Sequence, residues 1–402
     1  MGKILKSLPA KLLLGIIVGI IVGLLVPESV MTVLVPIKNI MGQVINFIVP
    51  LIVIGFIAPS ITKLGSSASR MLGVALVIAY ASSVLAALLS TIAGYVLIPI
   101  MNNATEAAAL KELPADIFAL SIPQIMPVMS ALVFAVLIGL AAVWTKAKTI
   151  ITVLDEFQKI VLQLVSKIVI PILPFFIACT FACLAYEGTI TERLPIFLKA
   201  VVVVLVDHFV WMAVLYLVAG VYSGKNPKEV FKHYGPAYIT AVGTMSSAAT
   251  LSVALECAHK SKVLRKDMVD FGVPLFANIH LCGSVLTETF FVMTVHLVLK
   301  GTLPSFGTML LFAALLGIFA IGAPGVPGGT VMASLGIVTS ILFPESAELA
   351  ANATGLLLAI FAIQDSFGTA CNVTGDGALT LILTGYCEKH GLEEQSNIAV
   401  DL

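Results

Sequence analysis

Long apolar stretches, separated by short polar and charged segments, run along the whole chain of 402 residues. A helix needs about 20 apolar residues to cross the hydrocarbon core of a membrane. Apolar residues follow one another in these stretches without the alternation of two that a β-barrel strand requires. The stretches are residues 10–27, 34–61, 71–101, 117–145, 159–186, 195–222, 268–299, 306–342 and 347–387. The pattern predicts an all-α polytopic membrane protein.

Composition excludes three other classes of protein. Hydrophobic residues make up 59% of the chain and charged residues 11%, whereas an average soluble domain has about 25% charged residues. So few charges can neither cover a soluble surface nor keep a disordered chain solvated. The 22 basic and 22 acidic residues cancel, so the basic excess of a nucleic-acid-binding protein is missing. We expect contact with membrane lipid and none with nucleic acid.

Two of the apolar regions are interrupted. Residues 243–250 read GTMSSAAT in the middle of segment 234–258, and residues 322–329 read GAPGVPGG in the middle of stretch 306–342. Proline and glycine end helices, and non-helical backbone at membrane depth occurs only where protein or a water-filled cavity receives it. Interrupted segments of this kind are typical of transport sites. They predict two re-entrant helical hairpins.

The distribution of lysine and arginine predicts the orientation. Lys3, Lys6 and Lys11 precede the first stretch, and the segment 225–232 and the segment 259–266 flank the first interrupted region with further basic residues. Cytoplasmic loops carry the excess of lysine and arginine, so we expect a cytoplasmic N-terminus. A signal peptide is the alternative for the first stretch, but that stretch leads directly into another span. We expect a multi-pass protein of the cytoplasmic (inner) membrane of a prokaryote.

The last stretch carries a row of polar residues. Asp365, Thr369, Asn372 and Asp376 are separated by four, three and four residues, which places them on one face of a helix. Carboxylates in a membrane span are costly and normally face a protein interior or a cavity. The row therefore predicts a site for a substrate or a cation, with a helix–helix hydrogen-bond seam as the alternative.

A second polar row lies in stretch 268–299. His280, Ser284 and Glu288 recur every four residues and share one helix face. Histidine has an unperturbed pKa of about 6.5 and can carry a proton, but a buried histidine equally serves in packing. Asp207-His208, in stretch 195–222, leaves the same two alternatives open.

Enzyme and channel hypotheses have less support. An aspartate within a span, such as Asp376, also occurs in intramembrane aspartyl proteases, which need two carboxylates that share a proton. Asp365 is 11 residues from Asp376, about 16 Å along one helix, so the two cannot form that pair. The six cysteines contain no CxxC motif and the chain has no Walker loop, so neither a zinc site nor ATP-driven pumping is indicated. We expect no enzyme, and keep the channel and the protease as remote alternatives.

The order of these elements and three motifs resemble the dicarboxylate/amino acid:cation symporters, the sodium:dicarboxylate symporters with the glutamate-transporter fold. The motifs are Ser246-Ser247-Ala248-Ala249-Thr250, Gly325-Val326-Pro327-Gly328 and Asp365…Thr369…Asn372-Val373-Thr374-Gly375-Asp376. The resemblance implies eight transmembrane helices, two re-entrant hairpins, a homotrimer, and an elevator motion of a transport part against a scaffold.

The same resemblance divides the chain. It implies scaffold helices 1–2 (1–66), helix 3 of the transport part (67–116), scaffold helix 4 (117–158), scaffold helix 5 (159–194), helix 6 (195–233), hairpin 1 (234–266), helix 7 (267–300), hairpin 2 (301–345), and helix 8 with the C-terminal tail (346–402).

The resemblance also implies roles for individual residues. Asp365 would receive the ammonium group of an amino acid substrate, and Thr369 and Asn372 would contact its polar groups. Asp376 would bind a sodium ion together with Asn372. The remaining substrate contacts would come from the hairpins, at Ser246, Ser247, Val326, Pro327 and Gly328. The tip of the second hairpin would form the extracellular gate.

Two departures from the family bear on the substrate. Family members that carry acidic amino acids have an arginine where this chain has Gly368, and some bacterial members have one where it has Met245. Without a guanidinium, the side-chain carboxylate of an acidic substrate has no bidentate partner. We therefore expect a small neutral amino acid such as serine, threonine or alanine. An acidic amino acid or a dicarboxylate remains the alternative within the family.

A third departure bears on the coupling ion. The family motif Asn-Met-Asp-Gly-Thr in helix 7 corresponds to His280-Leu281-Cys282-Gly283-Ser284, so histidine replaces an asparagine and cysteine replaces a sodium-binding aspartate. We expect sodium coupling with an altered set of sodium sites. Proton coupling through His280, or uncoupled transport, stays open. Ser82 and Ser83 lie near the family's sodium contacts in helix 3 and belong to the same candidate cation or proton site.

Overall fold

A computed structural model describes residues 8–66, 70–101, 113–114, 118, 120–188, 190–323 and 328–392. Regular structure in these ranges is helical throughout, as the apolar pattern predicts. The helices are α1 (Leu8–Leu25), α2 (Glu28–Ser66), α3 (Arg70–Met101), α4 (Val128–Trp144), α5 (Lys148–Leu164), α6 (Ile170–Tyr186), α7 (Ile190–Ser223), α8 (Lys228–Phe231), α9 (Gly235–Thr244), α10 (Ser247–His259), α11 (Lys266–Ile279), α12 (Cys282–Lys300), α13 (Phe306–Gly322), α14 (Gly329–Ile337) and α15 (Ala347–Lys389). A π-helical turn, Val165–Val169, joins α5 to α6, and a second, Val338–Leu342, follows α14.

Several of these helices can cross a membrane. Among the described residues, five helical segments are long and apolar enough, and α15, whose two parts are bent by 65°, would make a sixth. The five are Glu28–Pro59, Arg70–Met101, Lys148–Tyr186, Pro195–Ser223 and Lys266–Lys300. Four shorter apolar helices accompany them: Leu14–Leu25, Val133–Trp144, Phe306–Gly322 and Gly329–Leu342. The multi-pass class is confirmed, and the number of eight spans stays a prediction.

The outer faces of the helices are apolar. On α7, the side chains of Val202, Leu217 and Val221 are 61%, 65% and 77% exposed. Apolar patches of this extent on a protein surface mark contact with lipid or with another protein. Polar groups lie inside instead, as the following section describes.

The helices pack in two groups. In the first group, α1 lies along α6, and α2 contacts α4, α5 and α6. In the second group, α12 and α15 pack on each other, α3 and α7 contact both, and α9, α11 and α13 pack around them. Glycines allow the close contact of α1 with α6, because a Cβ at Gly19 would lie 2.3 Å from the carbonyl oxygen of Ala178. Small residues at such positions are typical of helix pairs in membranes.

Both interrupted segments lie between pairs of short helices. Helices α9 and α10 pack on each other and on α15. They are joined through Met245, which has a left-handed φ of 54°, and Ser246, whose hydroxyl accepts a hydrogen bond from the Ala249 amide at 3.2 Å. Helices α13 and α14 also pack on each other, and residues 324–327, between them in the sequence, lie outside the described residues. The arrangement agrees with two helical hairpins.

One expected boundary differs from the helical path. The division between helices 4 and 5 at residues 158–159 lies within α5. The break comes earlier, where Lys146 adopts a left-handed φ of 52° and ends α4. Glu156 and Lys159, on either side of the expected boundary, are exposed on a continuous helix.

Candidate functional site

The centre of the second helix group is a buried chain of hydrogen bonds. His280 Nδ1 lies 2.9 Å from Asp376 Oδ1, and His280 Nε2 lies 2.9 Å from Ser82 Oγ. All three side chains are buried, and that of His280 is 0% exposed. An ionised carboxylate can only accept, so the Nδ1–H group donates to Asp376. The chain connects α15, the junction of α11 with α12, and α3.

A helix break places His280 in this position. Helix α11 ends at Ile279, and His280 and Leu281 have extended or irregular backbone angles before α12 begins. Across the break, a Cβ at Gly375 would lie 2.9 Å from His280 Cε1. The glycine that precedes Asp376 therefore lets the imidazole pack directly against α15. The same added Cβ would lie 3.4 Å from Cys282 Sγ, so this thiol lies beside the ring.

Asn372 joins α15 to the first turn of α12. Its Oδ1 accepts hydrogen bonds from the backbone N–H groups of Gly283 at 2.7 Å and Ser284 at 3.2 Å, and its Nδ2 donates to Ser284 Oγ at 3.0 Å. The first N–H groups of a helix have no partner within the helix. Asn372 supplies that partner from a neighbouring helix.

The same turn of α12 is held from α7 as well. His208 Nε2 lies 3.0 Å from the Gly283 carbonyl oxygen and 2.9 Å from Thr287 Oγ1. A carbonyl oxygen only accepts, so Nε2–H is the donor. His208, which the sequence left undecided between packing and function, thus anchors the helix break that carries His280.

Asp365 lies at the second hairpin. Its side chain is buried, and its Oδ2 accepts a hydrogen bond from the backbone N–H of Gly328 at 2.7 Å. Gly328 has a left-handed φ of 71° and immediately precedes α14, and glycine adopts such a φ without steric cost. The acidic residue predicted to bind an ammonium group is therefore next to the predicted gate. Val326 and Pro327 of that gate lie outside the described residues.

The other predicted residues are distributed around this centre. Gly368 packs against the start of α12, since a Cβ there would lie 3.4 Å from Ser284 Cα. Thr369 is buried one residue further along α15, and Ser83 is buried next to Ser82, with no hydrogen-bond partner for its hydroxyl among the described residues. Ser246 and Ser247 lie at the start of α10, which packs on α15.

Sequence reasoning missed one polar contact of the second hairpin. The hydroxyl of Ser334, in α14, donates to Glu288 Oε1 of α12, and both side chains are fully buried. The four-residue spacing of His280, Ser284 and Glu288 pointed to Glu288. No pattern in the sequence pointed to Ser334, because a single serine in an apolar helix carries no spacing signal.

The sodium ion that the family implies would require oxygen ligands, because it is a hard cation. Asn372 uses its amide oxygen for two backbone N–H groups, and Asp376 Oδ1 accepts from an imidazole N–H. Cys282 offers a thiol where the family has a carboxylate. Asp376 Oδ2 has no partner in the described part of the chain, but one oxygen does not form a coordination shell. These groups do not fit a sodium site built on Asn372 and Asp376.

The fold and the buried centre define a class: an all-α membrane protein whose polar residues meet at a broken helix and a hairpin, as in secondary transporters. The sequence profile of the sodium:dicarboxylate symporter family matches residues 8–386. The chain belongs to this family, which confirms the resemblance. The family is one of symporters rather than of enzymes, so membership sets the intramembrane protease aside.

Several animal transporters are similar to this chain. Excitatory amino acid transporter 2 of Mus musculus is 29% identical over 229 residues, which is 55% of this chain and 38% of that protein. Excitatory amino acid transporter 1 of Ambystoma tigrinum is 27% identical over 307 residues, 74% of this chain and 54% of that protein. An excitatory amino acid transporter of Caenorhabditis elegans is 26% identical over 283 residues, 68% of this chain and 54% of that protein. The matched region thus spans 38% to 54% of these relatives.

Proposed function

We propose that the protein is a secondary active symporter that imports a small neutral amino acid, such as serine, threonine or alanine. Sodium is the coupling ion, as the family description suggests, and fewer sodium ions are used than in relatives that carry acidic amino acids. The buried carboxylate of Asp365 at the tip of the second hairpin is the observation that carries the proposal.

The chemistry of Asp365 supports an amino acid as substrate. Among the described residues it makes one backbone hydrogen bond and no ion pair. A buried charge is costly without a partner of opposite sign. The ammonium group of an amino acid supplies that partner while the site is closed. A dicarboxylate lacks an ammonium group and would be repelled by the same carboxylate.

The surroundings of Gly368 support a neutral side chain. The position faces the start of α12, where Ser284 Cα and N would lie 3.4 Å from an added Cβ. No side chain projects from position 368 to pair with a second substrate carboxylate. Met245, at the tip of the first hairpin, offers no charge either. A substrate with a small polar or apolar side chain has no second carboxylate and therefore needs no basic partner at this position.

The architecture supports an elevator mechanism in a homotrimer. Helices α1, α2, α4, α5 and α6 form the scaffold, and the group around α12 and α15 forms the mobile transport part, with domain limits as given by the resemblance. The extensive packing of α1 on α6, α2 on α4 and α12 on α15, each within one group, supports this division, and α2 and α6 contact α15 across it. The protein is inserted with a cytoplasmic N-terminus in the inner membrane of a prokaryote.

A second candidate is an acidic amino acid carrier. The names of the relatives, excitatory amino acid transporters, and the family description favour it. This function would require a basic group for the second carboxylate at a position other than 245 or 368. The two candidates differ in the substrate that competes best for uptake.

Uptake by the purified protein in proteoliposomes tests the proposal. Labelled serine, threonine, alanine, aspartate and succinate are offered under an inward sodium gradient, and again under a pH gradient. We expect accumulation of a neutral amino acid. Preferential accumulation of aspartate or succinate would overturn the neutral assignment in favour of the second candidate.

A pair of variants tests the role of Asp365. Asp365→Asn should abolish amino acid binding, because the ammonium group loses its counter-charge. Glu348→Gln, which removes an exposed carboxylate from the first turn of the same helix, should leave binding unchanged. Equal affinity in Asp365→Asn and the wild type would remove Asp365 from the site.

A further inference from the structure

The carboxylate of Asp376 already has a partner in this protein. Its Oδ1 accepts a hydrogen bond from His280 Nδ1–H at 2.9 Å, in a position where both side chains are excluded from solvent. Hydrogen bonds between a ring N–H and a carboxylate are among the stronger ones in proteins. A cation that approached this oxygen would have to displace the ring.

The ring cannot move away easily. Its other nitrogen lies 2.9 Å from Ser82 Oγ of α3, its edge is in contact with Phe276 of α11, and its Cε1 faces Gly375 of α15. A serine hydroxyl can both donate and accept, so this contact is satisfied whether Nε2 carries a hydrogen or not. His280 is therefore fixed on three sides by three helices.

The neighbouring groups that could bind a cation are occupied as well. Asn372 Oδ1 is used by two backbone N–H groups of α12. Cys282, next to the ring, has a soft sulfur atom, whereas hard cations prefer oxygen. Of these side-chain oxygens, Asp376 Oδ2 is the one without a partner among the described residues.

We propose that the imidazole of His280 takes the place of a sodium ion beside Asp376, so that this carboxylate does not bind sodium and any sodium coupling uses other positions. The inference rests on the proposed symport function and names the position at which one ion has been lost. Through its hydrogen bonds to Ser82 and Asp376, the ring connects the helix break with α3 and α15 without an ion. The closed arrangement of these helices then does not depend on sodium.

The thermal unfolding of the full-length purified protein tests this directly. The midpoint is measured in sodium chloride and in choline chloride at equal ionic strength, with Trp211 and Trp144 as intrinsic fluorophores. The inference predicts that any sodium-specific shift of the wild type is the same in Asp376→Asn. The asparagine keeps an oxygen that accepts from His280, so this variant should retain its fold. Loss of a sodium-specific shift on Asp376→Asn would overturn the inference.

A second variant should gain a sodium-dependent increase in its unfolding midpoint. His280→Asn with Cys282→Asp removes the ring and places a carboxylate beside Asp376, as in the motif of sodium-binding relatives. Its unfolding midpoint should rise with sodium concentration and saturate, and adding Asp376→Asn should abolish that rise. A folded double variant without any sodium response beyond that of the wild type would contradict the role given to His280.

These outcomes are separate from those of the proposed function. The unfolding measurement needs no substrate, so a failure to bind serine, threonine or alanine leaves it unaffected. Conversely, if the wild type accumulates alanine but its sodium-specific shift disappears in Asp376→Asn, the proposed function stands and the inference about His280 is overturned.

Discussion

Asn372 of α15 accepts a hydrogen bond of 2.7 Å from the backbone N–H of Gly283, at the point where α12 begins. The carbonyl oxygen of the same glycine accepts from His208 of α7. Two neighbouring helices thus hold both backbone polar groups of one residue at the helix break. The break sets the direction of His280, and hence the contact with Asp376, so the rigidity of the site depends on the backbone at Gly283.

Removal of the Asn372 side chain should destabilise the protein. Asn372→Ala leaves the N–H groups of Gly283 and Ser284 buried without an acceptor, which costs about 1–3 kcal/mol for each unsatisfied group. Thermal unfolding of the purified protein measures the loss. Asn278→Ala is the matched control, because Asn278 is exposed and its side chain bonds, within the described part of the chain, only to the Pro274 carbonyl of its own helix. Equal midpoints for the two variants would contradict the anchoring role of Asn372.

A methyl group at Gly283 should separate α12 from α15. A Cβ at this position would lie 2.4 Å from the Gly368 carbonyl oxygen and 2.5 Å from Cys371 Cβ, so the backbones must move apart. Overpacking of this kind costs about 1–3 kcal/mol. The control is Gly73→Ala in α3, where an added Cβ meets nothing within 4 Å. We expect a lower unfolding midpoint for Gly283→Ala and no loss for Gly73→Ala.

Much of this site follows from the sequence, for identifiable reasons. The spacing of Asp365, Asn372 and Asp376 placed them on one face of α15, because helical periodicity and the cost of buried charge act locally. The contact of His280 with Asp376 could not be derived in the same way. It depends on how a broken helix crosses α15 at Gly375, and packing of that kind joins residues far apart in the chain.

The two hairpins show the same limit. Their glycine, proline and small polar residues predicted where the helices stop. Which residue each hairpin contacts is set by three-dimensional packing, as in the hydrogen bond from Gly328 of the second hairpin to Asp365 of α15. Ser334 carried no signal because nothing in α14 distinguishes it from a serine that bonds its own helix.

Gly368→Arg should change the substrate preference. The variant places a guanidinium beside the start of α12, three residues from Asp365, where it can pair with a second carboxylate in bidentate geometry. An added Cβ meets its neighbours only at ordinary contact distance, so the backbone can accept a side chain. We expect aspartate to compete better with labelled alanine for uptake, and alanine uptake to fall. Gly368→Gln, which has length without charge, is the control and should not recruit aspartate.

Ser334→Ala should loosen the second hairpin. The Ser334 hydroxyl donates to Glu288 Oε1, and Glu288 Oε2 has no partner among the described residues. Removal of the hydroxyl leaves both oxygens of a fully buried acid without a hydrogen bond, which is destabilising. Replacing the acid as well removes the cost of burying an unsatisfied polar group. We therefore expect Ser334→Ala to lower the unfolding midpoint more than the double variant Ser334→Ala with Glu288→Met.

A thermodynamic cycle over these variants separates this contact from simple packing. Glu288→Met alone leaves a serine that can bond to the Val331 carbonyl of its own helix, 3.1 Å away, so it should cost less than Ser334→Ala. The coupling between the two positions should be about 0.5–3 kcal/mol, the range for side chains in direct contact. Thr339→Ala, in the π-turn after α14, removes a hydroxyl that bonds, among the described residues, to the Leu335 and Gly336 carbonyl oxygens of the preceding turn. The unfolding free-energy changes of Thr339→Ala and Glu288→Met should simply add, because these residues do not bond to each other. If the changes of Ser334→Ala and Glu288→Met also simply add, the contact does not stabilise the hairpin.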